Sequence, residues 1–442
     1  MSYKDIHRRF LHNAGLIVGS RVGFGLLNLA TNAIILRAFG AGDLGMIMLL
    51  VAYMRVFAEV VKFESWQAVL RFGVMPEENG EWYQLRRLVG LTLMIDFITM
   101  ALAIAVSVAL IPYAAVWLGW NEQITRIAPW FMVLIIFVTN ATPNGVLRLF
   151  DRVGVLAFQH GANAVIRMAL VLLVVALGGG VVHLAAAWFA AFVISFSIPM
   201  VICAQELVRR DLLPVFSLRL RKTGRQFPGI WHFLLMSNLI STGPLAITHL
   251  TTLFVGAQLG AAQAAILQLA RQISAGASAP TKFLGPLLLP DFSRLSGRGD
   301  WTGLRSVIAK QLKVGALVVL GLGVVLFAAL PLIVELAFGA EMLEHIWLFR
   351  LFLFAALINA LGFSLHHAMF SANKGGTALL IQWLGICVYA AIMLSGLWVI
   401  GLNAVGFASI GLAVTSRGLT LIVGRRLLKK RIRKARLRDA EE

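Results

Sequence analysis

Apolar runs of roughly twenty residues, separated by short polar segments, recur from one end of the chain to the other. A helix rises 1.5 Å per residue and needs about 20 residues to cross ~30 Å of hydrocarbon, so each run predicts a transmembrane helix. Twelve are predicted, at 14–37, 45–63, 88–111, 124–147, 161–178, 181–204, 229–255, 261–289, 311–334, 346–370, 377–399 and 404–423. No intervening segment is long enough for a soluble domain. The expected class is an all-α integral membrane protein of about twelve transmembrane helices. The first run holds Arg21, Asn28 and Asn32 and lacks a small-residue cleavage site. It is therefore expected to be a retained span and not a signal peptide.

The polar positions inside these runs are not scattered. In the stretch 45–73, Arg55, Glu59 and Lys62 stand at i, i+4 and i+7, on one stripe of a helix. A charge near the bilayer centre costs at least ~2.5 kcal/mol, so such residues turn toward a protein interior or a water-filled cavity. Either Arg55 lines a cavity, or an Arg55–Glu59 ion pair only fixes packing. In the first span Arg21, Asn28 and Asn32 share one face, and in the eighth Arg271 and Lys282 share another with Gln268, Ser274 and Ser278. Arg55 and Arg271 each lie about ten residues, or ~15 Å, from the ends of their spans, which puts both near the midplane. Arg21 and Asp96 lie at matching depth and could pair. Arg167 and Arg417 lie close enough to the membrane surface to snorkel, and Asn140, Asn163, Asn238 and Asn359 read as interhelical hydrogen-bonding residues.

Among these deep charges Arg21, Arg55, Lys62, Arg271 and Lys282 stand against Glu59 and Asp96. A cationic excess rich in guanidinium forks suits phosphate, diphosphate or an acidic sugar. The candidate substrate-binding residues are Arg21, Asn28, Asn32, Arg55, Lys62, Arg271 and Lys282, with Glu59 and Asp96 as coupling or ion-pair residues. No HExxH, GxSxG, Walker or zinc spacing is present. An enzyme is not expected, no cofactor or metal is expected, and uphill transport would draw on an ion gradient.

Weak internal repetition points to two halves. AFGAGDLGMI at 38–47 resembles VGAQLGAAQAAI at 255–266, with Gly40 opposite Gly260, and FDRVG at 150–154 resembles ANKGG at 372–376. The expected organisation is a six-helix bundle over 1–215, a second over 216–423, and a basic tail over 424–442, the bundles flanking a central cationic cavity.

Charge changes the picture by its placement. The chain is 59% hydrophobic and 13% charged, with a net charge of +19. Of its 39 Lys and Arg, 29 fall in segments assigned to one side of the membrane and two in those on the other. The positive-inside rule then puts both termini in the cytoplasm and accounts for the net charge without nucleic acid. The tail RRLLKKRIRKARLRDAEE reads as a solvated or headgroup-bound anchor. Cys203 and Cys387 match no metal or redox spacing.

The segments ILRAFGAGDLGMIMLLVAYMRVFAEVVKFESWQAVLRFG and GVLRLFDRVGVLAFQH resemble the polysaccharide-unit flippases of the O-antigen type, within the multidrug, oligosaccharidyl-lipid and polysaccharide exporter superfamily. The resemblance runs through nearly the whole chain, and ESWQAVLRFG and LRLFDR are its more specific parts. It implies alternating access by two six-helix bundles around a cationic cavity. It also implies export of an undecaprenyl-diphosphate-linked oligosaccharide across the bacterial inner membrane for a surface polysaccharide. Membrane lipid and other polysaccharide-assembly proteins are the remaining candidate partners. Two readings stay open beside it: an ion-coupled drug or small-solute antiporter, and a non-transporting scaffold or glycosyl-transferring enzyme.

Overall fold

The computed structural model describes residues 3–216, 226–277, 301–361 and 375–441, without the side chains of residues 3–22, of residues 434–441 and of scattered positions from 240 onward. The side chain of Arg21 and the whole of Lys282 therefore lie outside the described residues. Helix follows helix: α1 (Tyr3–Val61), α2 (Ser65–Glu78), α3 (Trp82–Ala109), α4 (Ile111–Leu118), α5 (Glu122–Met132), α6 (Ile135–Val138), α7 (Ala141–Leu149), α8 (Val153–Ala176), α9 (Val181–Arg209) and α10 (Ile230–Leu259). After a helical stretch at 261–277 come α11 (Trp301–Phe338), α12 (Ile346–Leu361), α13 (Gly375–Ile400) and α14 (Asn403–Glu441). Among the described residues, 7 helices are long and apolar enough to cross a membrane, or up to 9 if each sharply bent pair forms one span. One of these, Gly23–Glu78, covers two of the predicted spans.

That doubled helix turns at Gly40, whose backbone (φ 81, ψ 172) is open essentially to glycine alone. Gly260, its partner in the repeat, has nearly the same conformation (φ 93, ψ 166). The correspondence continues. Gly119 and Gly339 both have positive φ, and so do Gly178 and Gly401. The repetition read from two short sequence matches is thus carried by the backbone at three pairs of turns, because each turn needs a residue without a Cβ.

Two predicted spans differ from their sequence outline. The second does not end at 63: the helix stops at Val61, runs through three non-helical residues, and resumes as α2. The fourth is divided into α5, α6 and α7, with a 45° bend between Glu122–Met132 and Ile135–Leu149.

The chain forms two compact units, residues 26–265 and residues 1–25 with 266–442. In the first, Val69, Leu85, Val89, Val146, Leu147, Phe150 and Leu207 form one buried cluster, and Ala68, Leu88, Leu91 and Ile95 pack with Phe227, Ile230 and Leu234 in another. The second cluster fastens the start of α10 to α2 and α3. This is why the unit extends past residue 215, where the repeat would divide the chain. In the other unit, α13 and α14 approach closely at small residues: a Cβ added to Gly385 would meet Leu412 at 2.8 Å, and one added to Gly411 would meet Ile392 at 2.5 Å.

Candidate functional site: a polar ring at two broken helices

The two broken spans meet at Asp96. Its Oδ1 accepts a hydrogen bond from Ser65 Oγ (2.6 Å), and its Oδ2 accepts from the Thr142 backbone N–H (2.8 Å) and from Thr142 Oγ1 (2.6 Å). Ser65 opens α2 and Thr142 stands in the first turn of α7. A helix start leaves N–H groups unpaired and carries the positive end of the helix dipole; Asp96 accepts one such N–H at the start of α7 and ties the first residue of α2 to it through the Ser65 hydroxyl. Both oxygens of Asp96 are thereby committed. Half-helices that end at membrane depth are also where transporters build polar sites, because their freed backbone groups must face protein or water.

Around this clamp the side chains form a closed circuit. Arg55 Nη1 lies 3.9 Å from Glu59, and Lys62 Nζ lies 2.7 Å from Glu59 and 3.7 Å from Glu64. Glu64 Oε2 accepts from the Trp66 indole N–H, and the Arg148 guanidinium stacks 4.0 Å from the Trp66 ring centroid. One turn before Arg148 on α7, Asn144 donates to Asn140 Oδ1 (3.3 Å), and Asn140 donates to the Phe196 carbonyl (3.2 Å). Phe196 and Phe192 stack at 5.5 Å, and Arg55 lies 5.7 Å from the Phe192 centroid, which closes the ring. The break itself is held from α10: Asn238 donates to the Lys62 carbonyl and Thr242 to the Glu59 carbonyl (3.2 Å). This amide and this hydroxyl satisfy carbonyls that the interrupted helix cannot.

The sequence candidates fall into three groups. Arg55, Glu59 and Lys62 lie together as their spacing predicts, but Glu59 is engaged more closely by Lys62 than by Arg55. Asp96 bonds to hydroxyl and backbone groups of its own unit. Asn28 faces α8, where its Oδ1 accepts from Arg167, and Asn32 is buried beside it on α1. Arg271 reaches Tyr389 Oη at 3.4 Å and lies 5.9 Å from the Phe352 centroid in the other unit.

Snorkelling is not what Arg167 and Arg417 do. The helix carrying Arg167 begins at Val153 and not near 161, which puts Arg167 some 14 residues, ~21 Å, inside it. Its guanidinium stacks 4.4 Å from the Trp188 centroid. Arg417 donates to Asn359 Oδ1 at 3.2 Å. The four asparagines do bond between helices or across a break, Asn163 donating to Ser195 Oγ at 2.9 Å. Trp66 and Arg148 are not among the sequence candidates because 64–87 and 148–160 read as connecting segments, and Asn144, inside the fourth predicted span, is not among them either. Both Trp66 and Arg148 nevertheless lie in the two segments most specific to the family resemblance.

No family model matches the chain. The inner membrane protein YghQ of Escherichia coli is 27% identical over 350 residues, covering 76% of this chain and 94% of that protein. A multidrug resistance MATE transporter of the MOP superfamily, solved in an inward-facing conformation, superposes with a TM-score of 0.73 at 15% identity, covering 93% of this chain and 96% of the other. The Vibrio cholerae MATE transporter VcmN in its bent form gives 0.56 at 15% identity, over 95% and 97% of the two chains. The eukaryotic MATE transporter AtDTX14 gives 0.51 at 14% identity, over 96% and 97%. The chain is thus a multi-pass membrane protein with the all-helical, twelve-helix, two-bundle fold of the MATE transporters.

Proposed function

We propose that this protein moves an undecaprenyl-diphosphate-linked oligosaccharide from the cytoplasmic to the periplasmic leaflet of a bacterial inner membrane, by alternating access. The observation that carries the reading is the state of Arg55. It projects from a broken helix into a polar ring, while its nearest acid is held more tightly by Lys62. A guanidinium in low dielectric with no committed partner is suited to a diphosphate, which it binds through two parallel N–H donors. Arg271 places a second guanidinium in the other unit, where it donates to Tyr389 Oη, and Arg21 and Lys282 are cations of the same proposed set. The amides of the ring match sugar hydroxyls.

The neighbours solved as multidrug transporters favour a second reading, export of an organic cation. That chemistry needs an unpaired carboxylate. Within the ring the carboxylates are taken, Asp96 by three hydrogen bonds and Glu59 and Glu64 by Lys62. A deletion strain separates the two. Loss of surface polysaccharide with carrier-linked units accumulating on the cytoplasmic side supports the flippase; unchanged polysaccharide with raised dye sensitivity supports the drug exporter. The proposed orientation puts both termini in the cytoplasm. Reporter fusions after residue 340 should report the periplasm, and a cytoplasmic signal there would overturn it.

A further inference from the structure

We infer that Arg148, Asn144 and Trp66 form a subsite for a carboxylated sugar, distinct from the Arg55 end of the same ring; this rests on the flippase reading above and specifies its substrate. The ring contains three cations, and they are not equivalent. Lys62 lies between Glu59 and Glu64, so its charge is met on both sides. Arg55 and Arg148 remain at opposite ends of that acid–lysine–acid bridge. Residues 55 and 66 are separated by on the order of 15 Å along the broken helix, which is too far for one small anion to engage both guanidinium groups. The arrangement suits a ligand with two separate negative groups.

Arg148 is presented for planar recognition. Its guanidinium carbon lies 4.0 Å from the Trp66 ring centroid and the residue is exposed, so its N–H donors remain available to a planar anion. Among the described residues it makes no hydrogen bond and no ion pair. The indole beneath it is itself fixed, because its N–H is bonded to buried Glu64. Asn144, four residues earlier on the same face of α7, has a buried Oδ1 without a donor.

Those two features define the ligand. The fork accepts a carboxylate or a phosphate equally well. The unpaired Oδ1 discriminates between them, because it needs a donor beside the anion. A phosphate diester or diphosphate that carries no sugar brings only acceptors to that position. A sugar acid brings a hydroxyl next to its carboxylate, which satisfies Asn144 while the carboxylate pairs with Arg148.

The test uses the full chain in lipid nanodiscs, at constant ionic strength, with three probes: D-glucuronate, D-glucose and a polyprenyl diphosphate without sugar. Ligand-induced thermal stabilisation is measured for each. The expected result is a saturable shift with glucuronate and none with glucose. Arg148→Met should abolish the glucuronate response and leave the diphosphate response within twofold, and Asn144→Ala should weaken glucuronate about tenfold. Should Arg148→Met fail to fold, Trp66→Phe keeps an aromatic platform but loses its tether to Glu64, and should weaken glucuronate in the same selective way. Equal responses to glucose and glucuronate, or a glucuronate response that survives Arg148→Met or is unchanged in Trp66→Phe, overturn the subsite. A glucuronate response with no diphosphate response supports the subsite and removes the diphosphate reading of Arg55.

Discussion

Two arginines lie at membrane depth in the unit formed by residues 26–265, and they are held in opposite ways. Arg167 stands in α8, an unbroken helix of 24 residues, and is 8% exposed. Its partners are neutral: the face of Trp188 and the amide oxygen of Asn28. Arg55 stands four residues before Glu59 at the edge of a helix break, with 24% of its side chain exposed. A cation sealed among neutral groups is held by the stack and the hydrogen bond, although its buried Nε has no partner among the described residues, and it loses both by moving. A cation beside a shared acid, at a helix break, can exchange one anion for another at little cost. The same residue type thus serves as a fixed element of packing in one region and as a ligand-facing group in the other. What separates the two is the continuity of the helix that carries each.

The largest effect is expected where the broken region is held together. Asp96→Ala removes three hydrogen bonds to a buried carboxylate and leaves the Thr142 N–H at the start of α7 and the Ser65 hydroxyl at the start of α2 without that acceptor. A loss of on the order of 3–5 kcal/mol is expected, discounting for non-additivity. Thermal melting and size-exclusion profiles in detergent should show little folded protein. Asp96→Asn keeps an acceptor for the Thr142 N–H and should lose less. A fully stable Asp96→Ala protein would mean that the clamp does not hold the site.

Arg167 and Arg55 should then separate cleanly. Arg167→Ala forfeits the indole stack and the bond to Asn28, at about 2–3 kcal/mol, yet transport per folded molecule should be unchanged. Arg167→Met, which fills the volume without a buried charge, should cost less than Arg167→Ala. Arg55→Ala is expected to do the reverse, with near-normal stability and no transport. Equal behaviour of the two alanine variants would erase the distinction.

Much of this was legible in the sequence, and the part that was not has a physical cause. Span length and charge placement report the solvent each segment faces, so the class, the helices and the clustering of Arg55, Glu59 and Lys62 follow directly. Helix breaks leave no such trace. Lys62 and Glu64 are charged, but so are Arg55 and Glu59 inside the helix, so polarity alone does not mark the break, and α2 buries Ala68, Val69, Gly73 and Pro76 while reading as a loop. Arg167 reads as near the membrane surface because Gln159 and His160 make the apolar run start late, although Gln159 is buried and α8 starts at Val153. Small residues carry the rest of the missing information. Gly40 and Gly260 could be matched by eye, but only backbone conformation shows why glycine stands there.

A smaller change tests how closely the two broken helices must approach. A Cβ on Gly145 would lie 2.8 Å from Trp66 Cα and 2.9 Å from Val69 Cβ. Gly145→Ala must therefore push α7 away from α2, at roughly 1–3 kcal/mol for an overpacked contact. Because Arg148 is on α7 and Trp66 is on α2, the shift should open the 4.0 Å stack. The Trp66 contribution to fluorescence, taken as the difference from Trp66→Phe, should change in Gly145→Ala and stay unchanged in Gly154→Ala, where a Cβ meets nothing within 4 Å.

The smallest expected effect decides the status of Arg55. At 3.9 Å from Glu59 and partly exposed, Arg55 gains little from that acid, and a double-mutant cycle of Arg55→Ala with Glu59→Gln should give a stability coupling below ~1 kcal/mol. The same cycle on Lys62→Met with Glu59→Gln should give more, because their 2.7 Å contact is closer and Glu59 is buried. If Arg55 served only to neutralise Glu59, the order would invert, and removing both partners would restore the transport lost in Arg55→Ala, since no unpaired charge would remain. The ligand-binding role makes the contrary demand: the double variant stays inactive, while Arg55→Lys keeps part of the activity by retaining the charge without the bidentate fork. Measured together, coupling and transport leave no intermediate outcome. A coupling above about 2 kcal/mol with restored transport would make Arg55 the same kind of packing element as Arg167.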